Sequence, residues 1–170
     1  MPVPRTWTVG ELLTASKMNA DVRNGLNFLL SGKPLAILTR SSIQNFNHNT
    51  PAPVTWNSEV IDRDGGHDNV TNPTRYTAQT AGWYNVTAML NWVNFAGGSR
   101  YLGLNRSGAA VYTEARGASP ASYPSVNLLA VPIFLSLGDY VTAEGMQDSG
   151  STINIQPGFS QLTLEWVSTA

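Results

Sequence analysis

The stretch "DRDGGHD", residues 62–68, sets Asp62, Asp64 and Asp68 in one short run with two adjacent glycines and a histidine. Carboxylate oxygens on a glycine-flexible loop are hard ligands of the kind calcium takes, so these three form the candidate metal set. The run departs from a helix–loop–helix calcium site, since no glutamate closes it and Arg63 dilutes its charge. The simpler expectation is a solvated turn with no metal and no cofactor. Asp62 and Asp64 are also the close carboxylate pair that a glycan-cleaving site would draw on, because that chemistry needs two convergent acids. A flexible loop holds such a pair poorly. His48 and His67, the two histidines, both fall in loop-like surroundings. No G-x-S-x-G elbow, phosphate loop or paired-histidine zinc motif occurs. No catalytic residue is assigned, and the chain reads as non-enzymatic.

A second group of side chains suits binding rather than catalysis. Phe95, Tyr101, Tyr112 and Tyr123 lie in or beside "VNFAGGSRYLG" and "EARGASPASYPS", with Arg100 and Arg116 close by. Planar rings stack on sugars at little entropic cost, and guanidinium groups hydrogen-bond them. These six are the candidate ligand-binding residues. The competing role for the rings is to cap the ends of a β-sandwich.

Composition narrows the partners. Charged residues are 12% of the 170 and the net charge is −1. That is about half the usual charged share, and it offers no basic surface for nucleic acid or an anionic membrane. The absence of cysteine removes disulfides and thiolate metal sites. No apolar run reaches membrane-spanning length. The beginning, "MPVPRTWTVGELL", lacks the basic-then-apolar order of a signal peptide.

The chain divides near Pro34. In residues 1–33, Thr8-Val9-Gly10-Glu11 fits a capping box and Thr14 is a second N-cap candidate. Ala15, Met18, Val22, Gly25, Leu26 and Leu29 then recur at three- and four-residue spacing as one helical stripe. Gly32 and Pro34 supply the stop. Gly25 costs about 1 kcal/mol inside a helix, which a close neighbour would explain. With Trp7, Leu12 and Leu13, the residues Met18, Val22, Leu26 and Leu29 form a candidate attachment surface.

Residues 34–170 carry turn signals at about 8–12-residue intervals, the pattern of an all-β sandwich. Strands are expected at 35–46, 53–61, 74–78, 82–94, 99–106, 109–115, 125–137, 139–146 and 160–168. Pro132 inside the 125–137 run argues for an edge or a bulge there. Tyr84, Val86, Ala88, Leu90 and Trp92 make one apolar face of the long strand, which alternation assigns to the sandwich core. Its other face is mixed, and 125–137 is apolar on both. A second apolar face needs a second cover, for which a symmetric partner is the simplest source. The expected trimer interface is Met89, Leu129, Val131, Ile133 and Leu135, with Thr163 on a solvent face.

The order "VTWNSEVIDRDGGHDN", "YTAQTAGWYNVTAMLNW", "GDYVTAEG" and "FSQLTLEWV" resembles the globular head of complement component 1q, whose jelly roll is shared with the tumour-necrosis-factor superfamily. Trp56, Asn69, Tyr76, Gly82, Tyr84, Gly138, Asp139, Val141, Phe159, Leu162, Leu164 and Trp166 occupy the family's positions across about 50–168. The resemblance implies a ten-strand jelly roll that trimerises, and some members of that family bind calcium. The segment "RTWTVGELLTASKMNADVRNGLNFL" is similar to the N-terminal segment of tail and other virion proteins of phages infecting actinobacteria, through Trp7, Gly10, Glu11, Thr14, Ala15, Asn19 and Arg23. That likeness implies a virion protein assembled in the host cytoplasm. It would be held to other virion proteins by its first residues and would contact a host-surface glycan or protein. The alternatives are a capsid or tail decoration with no ligand and, less favoured, a glycan-cleaving enzyme.

Overall fold

The computed structural model describes residues 5–109, 112–120 and 123–169. The chain forms two compact units, Met1–Lys33 and Pro34–Ala170.

In the first unit, Thr14 caps the helix: its hydroxyl accepts from the Lys17 N–H at 3.3 Å. Thr8 and Glu11 make only half of the expected capping box. The Thr8 N–H donates to the Glu11 carboxylate at 3.3 Å, but the Glu11 N–H donates to the Thr8 backbone carbonyl, closing a turn in which Gly10 has φ +81° and which no helix directly follows. Glu11 also takes Arg5 and, at 2.8 Å, Lys17 as ion-pair partners. The Lys17 ammonium and the Thr8 backbone N–H hold its carboxyl down to about 2. The helical run alternates normal and wide turns. Ala15–Met18 (α1) and Asn24–Asn27 (α2) are α-helical, while Asn19–Arg23 and Phe28–Gly32 are π-helical. Nothing in it is buried. No helix among the described residues is long and apolar enough to cross a membrane.

Among the described residues the second unit has twelve strands. They are β1 (Leu35–Thr39), β2 (Gln44–Phe46), β3 (Ala52–Pro53), β4 (Ser58–Asp62), β5 (Arg75–Thr77), β6 (Gly82–Asn91), β7 (Ser99–Arg106), β8 (Thr113–Ala118), β9 (Val126–Leu135), β10 (Tyr140–Gln147), β11 (Ile153–Ile155) and β12 (Gln161–Ser168). One sheet runs β4-β1-β12-β6-β9. The facing sheet runs β3-β10-β7-β8, with β5 also on β10, and β2 and β11 form a small ribbon. All the strand pairings are antiparallel.

Twelve strands replace the ten that the resemblance implied, for local reasons. The run expected at 35–46 breaks where the Arg40 guanidinium gathers the carbonyls of Ser42, Ile43 and Thr55. The run at 53–61 breaks where Val54 and Trp56 turn into the core. The strand expected at 109–115 lies later, at 113–118. The short β11 gave no apolar run long enough to be read.

The core lies between the sheets. Alternate residues Tyr84, Val86, Ala88 and Leu90 of β6 are fully buried, as are Leu162 and Leu164 of β12 and Ala36 and Leu38 of β1. From the facing sheet come Leu102 and Leu104 of β7 and Val141 and Ala143 of β10. Each large side chain buried there stabilises the fold by about 1.5–3 kcal/mol. Trp92 packs edge-on to Phe46, ring centroids 5.1 Å apart. Its indole N–H donates to Asn127 Oδ1 at 2.8 Å, satisfying a polar group that would otherwise be buried unpaired. Gly82 is forced by space: a Cβ there would run into the Trp166 indole and the Ser168 carbonyl. Gly138 (φ +87°) turns the corner between β9 and β10, and Asp139 ties that corner to Arg106, Ser107 and Ser136.

Pro132 is accommodated as expected of a strand proline, since β9 is the edge of its sheet and pairs with β6 alone. The assignment of faces on β9 is corrected. Register sets Ile133 opposite Tyr84 and Val131 opposite Val86, and directly paired residues share a face. Tyr84 and Val86 are core, so Leu129, Val131, Ile133 and Leu135 point inward. Ile133 and Leu135 are wholly buried in their own sandwich and cannot supply an outer interface.

Candidate functional site

The outward face of β9 carries Val126, Leu128, Ala130, Pro132 and Phe134. Val126 is 55% and Leu128 60% exposed. Beside them on β6 stand Trp83, Asn85, Thr87, Met89 and Asn91, with Trp83 opposite Phe134 and Met89 opposite Leu128. The Trp83 and Phe134 rings meet edge to face at 5.6 Å, yet Trp83 keeps 41% of its surface exposed. The outward residues of β12 and β1 continue the sheet: Thr163 lies between Thr87 and Ile37, and Glu165 between Asn85 and Leu35. Thr163 therefore belongs to the same surface, not to a separate solvated one. Glu165 is the one charged residue among the outward positions of β6, β9 and β12. Neighbouring strands thus make a sheet face of mostly apolar and uncharged polar groups. That is the chemistry of a surface to be covered, not of a reaction centre. Of the residues expected at an interface, Met89 lies on this face. Val126, Leu128 and Trp83 were missed because alternation alone does not say which face of a doubly apolar strand points out.

The six candidate ligand-binding residues do not converge on one site, although Arg116 meets the Tyr101 ring and Arg100 bonds the Phe95 carbonyl. Arg100 is buried, and its guanidinium donates to the carbonyls of Phe95, Gly97 and Ser99, so it holds the β6–β7 loop. Burial holds its guanidinium below the ordinary arginine value. Tyr101 is buried on β7, its hydroxyl over Gly103, with the Arg116 guanidinium 4.9 Å from its ring centroid. Phe95 and Tyr123 are exposed beside adjoining loops, where Ser119 bonds Phe95 O and Trp92 bonds Ser125 O. Tyr112 is exposed at the other end of β7, where its N–H donates to Leu104 O.

The acidic loop spends its carboxylates on separate tasks. Asp62 accepts from the N–H groups of Gly66 and His67 at 3.2 and 2.9 Å. Asp68 accepts from those of Val70 and Thr71, which hold its carboxyl below the usual range. Asp64 accepts the Tyr76 hydroxyl at 2.9–3.0 Å, and burial pushes its carboxyl up. With their oxygens taken up by backbone N–H groups and the Tyr76 hydroxyl, these acids do not assemble a calcium cage, and no metal-holding group of such residues occurs among the described residues. Asp62 and Asp64 do approach each other, and after burial the Asp62 charge and a side-chain hydrogen bond with it add to the raising of the Asp64 carboxyl. Both are already engaged, however, Asp64 by the Tyr76 hydroxyl and Asp62 by the Gly66 and His67 N–H groups. The histidines serve the backbone. His67 sits between Arg75 O (2.8 Å) and Trp56 O (3.0 Å), and His48 Nδ1 accepts from Gly150 N–H at 3.0 Å.

No protein-family model matches the chain, and no curated protein matches it by sequence. Solved structures do match. Murine APRIL superposes with a TM-score of 0.62 at 14% identity, covering 79% of this chain and 99% of its own. Eiger, a TNF from S. frugiperda, gives 0.60 at 15% identity, covering 81% and 94%. The globular domain of zebrafish complement 1qA gives 0.60 at 16% identity, covering 81% and 99%. The fold is the TNF and complement-1q jelly roll. At these identities the likeness establishes architecture alone, so within the jelly roll the exposed sheet face and the chemistry of its loops must carry any functional argument. One aromatic of the quoted pattern departs from a core role: Phe159, just before β12, is exposed.

Proposed function

We propose that the chain is a non-enzymatic phage virion protein. Its jelly roll forms a homotrimer through the outward face of β6 and β9, and residues 1–33 join it to other proteins of the particle. The observation that carries the trimer is the unpartnered face centred on Trp83, Leu128 and Val126, since a soluble monomer rarely leaves such a contiguous apolar surface open. The virion placement draws on the likeness of residues 5–29 to virion N-terminal segments. A second observation supports attachment through the first unit: Trp7, Leu12, Leu13, Met18, Val22, Leu26 and Leu29 are all exposed there. The non-enzymatic reading draws support from the acids and histidines, each of which is committed to backbone or tyrosine partners.

The jelly roll would project outward and touch a host-surface glycan or protein. The scatter of the ring-bearing candidates and the burial of Arg100 favour a second reading, a decoration that binds no host ligand. Light scattering on the full chain tests the trimer, with Leu128→Asp expected to give a folded monomer. Labelled antibody to the protein on intact particles tests the virion placement, and failure to label them ends that reading. Binding of the purified trimer to host cells separates the host-contacting form from the decoration.

A further inference from the structure

The wide turns of the N-terminal helix do something the sequence pattern does not announce. An α-helix turns every 3.6 residues. Alternation with π-helical turns raises the mean to about four. Residues four apart then stack in a straight column. Met18, Val22, Leu26 and Leu30 form such a column, and with Asn19, Arg23 and Asn27 beside them they line one shallow groove. All four apolar members are exposed. We infer that this column is the seam of a parallel three-helix bundle formed with the same segment of two further copies of the chain.

Three observations select copies of this segment as the occupant. The first is Gly25, adjacent to Leu26. A glycine in mid-helix is unfavourable, and a Cβ at this position would meet nothing within 4 Å in its own chain. Whatever requires a bare backbone there lies outside the protomer, and a helix crossing closely along the seam is such a neighbour. The second is charge. In a cyclic bundle the two flanks of the seam meet, one from each copy. On one flank of Val22 stands Asp21 and on the other Arg23, so Arg23 of each helix faces Asp21 of the next at the same height. Among the described residues, Arg23 makes a 3.4 Å contact to Asn24, and Asp21 pairs with Arg5 at 3.4 Å through Oδ2, which leaves its Oδ1 for the guanidinium of the next helix. The third is the tether. The helix ends at Gly32 and β1 begins at Leu35, so Lys33 and Pro34 alone join each helix to its jelly roll. A helix of this length is marginal alone, but three held so closely by a trimer are concentrated enough to pair. Of the exposed apolar residues offered for attachment, the seam takes Met18, Val22 and Leu26, with Leu30, and leaves Trp7, Leu12, Leu13 and Leu29 for other proteins. Met18 and Val22 also line a groove with Trp7 and Leu13, so the two surfaces adjoin.

The inference rests on the trimeric reading of the jelly roll, and the test keeps the two apart. The chain contains no cysteine, so single-cysteine variants of the full protein report proximity cleanly. Val22→Cys lies in the seam, while Ala20→Cys, two residues off it, lies away. Light scattering first establishes the trimer. Oxidation should then cross-link V22C chains pairwise at least about a hundredfold faster than A20C chains, as effective concentrations near the millimolar range require. Gly25→Leu in the V22C background should slow cross-linking, although leucine is the better helix former. A trimer in which V22C links no faster than A20C, or in which G25L leaves the rate unchanged or raises it, overturns the bundle and spares the jelly-roll trimer. A monomer by light scattering overturns both.

Discussion

Asp64 and Tyr76 show how a residue that looks like a ligand can be a structural part. The carboxyl is half-buried beneath the loop that ends at Asp68, and both its oxygens face the Tyr76 hydroxyl. Burial raises its proton affinity, so the neutral form is favoured in the folded state. The contribution is therefore fully present below the ordinary carboxylate value of about 3.9 and is lost as pH rises through the raised folded value. Asp64→Asn keeps an acceptor for Tyr76 and removes the titration. Its melting temperature should match or exceed wild type at neutral pH, and the wild type should gain on the variant as pH falls toward 4. Parallel melting curves with no pH-dependent difference would contradict that assignment. Chelation is expected to leave the melting temperature unchanged, because Asp62, Asp64 and Asp68 are each bound to different groups. A drop of several degrees with chelator, abolished by D64N, would reveal a metal.

At the scale of elements, β9 separates two kinds of apolar residue five positions apart, an odd spacing that puts them on opposite faces. Ile133 is core and Leu128 is surface. Ile133→Ala should destabilise the protomer by about 2–5 kcal/mol through lost transfer energy and a residual cavity. Leu128→Asp should leave the protomer folded and remove self-association. Chemical denaturation with parallel light scattering distinguishes them, and similar behaviour of the two variants would refute the register-based assignment of faces. Gly82→Ala makes a sharper demand on β6, since the Trp166 indole and the Ser168 carbonyl occupy the space a methyl needs. A loss of about 1–3 kcal/mol is expected from such overpacking, read from the same denaturation curves.

For the molecule as a whole, the division at Pro34 separates a unit with its own core from a segment with none. Removing residues 1–33 is expected to leave a folded jelly roll that no longer joins the particle. Trp7→Asp with Leu13→Asp should block incorporation while sparing the melting temperature of the jelly roll. A truncated protein that unfolds would show that the first segment completes the sandwich core. One that folds and still incorporates would move attachment to the jelly roll itself.

Much of this protein was legible in its residues because local rules act over short distances. Thr14 as a cap, the Gly138–Asp139 corner, the core face of β6 and the edge position implied by Pro132 all follow from backbone preference and period-two alternation. The all-β class and the break near Pro34 follow from turn chemistry and the end of helical spacing. Other features required partners distant in sequence. Whether Leu128 or Ile133 points outward depends on register with Tyr84 and Val86, more than forty residues away. Arg100 looked available beside its glycines, yet three carbonyls of its own loop draw it inside. The acids of residues 62–68 are neighbours in sequence, but Tyr76 and the local backbone N–H groups occupy their oxygens. Spacing states which side chains can share a face. Only packing in three dimensions decides whether that face meets core, solvent or another chain, because burial is a property of what arrives from the rest of the fold.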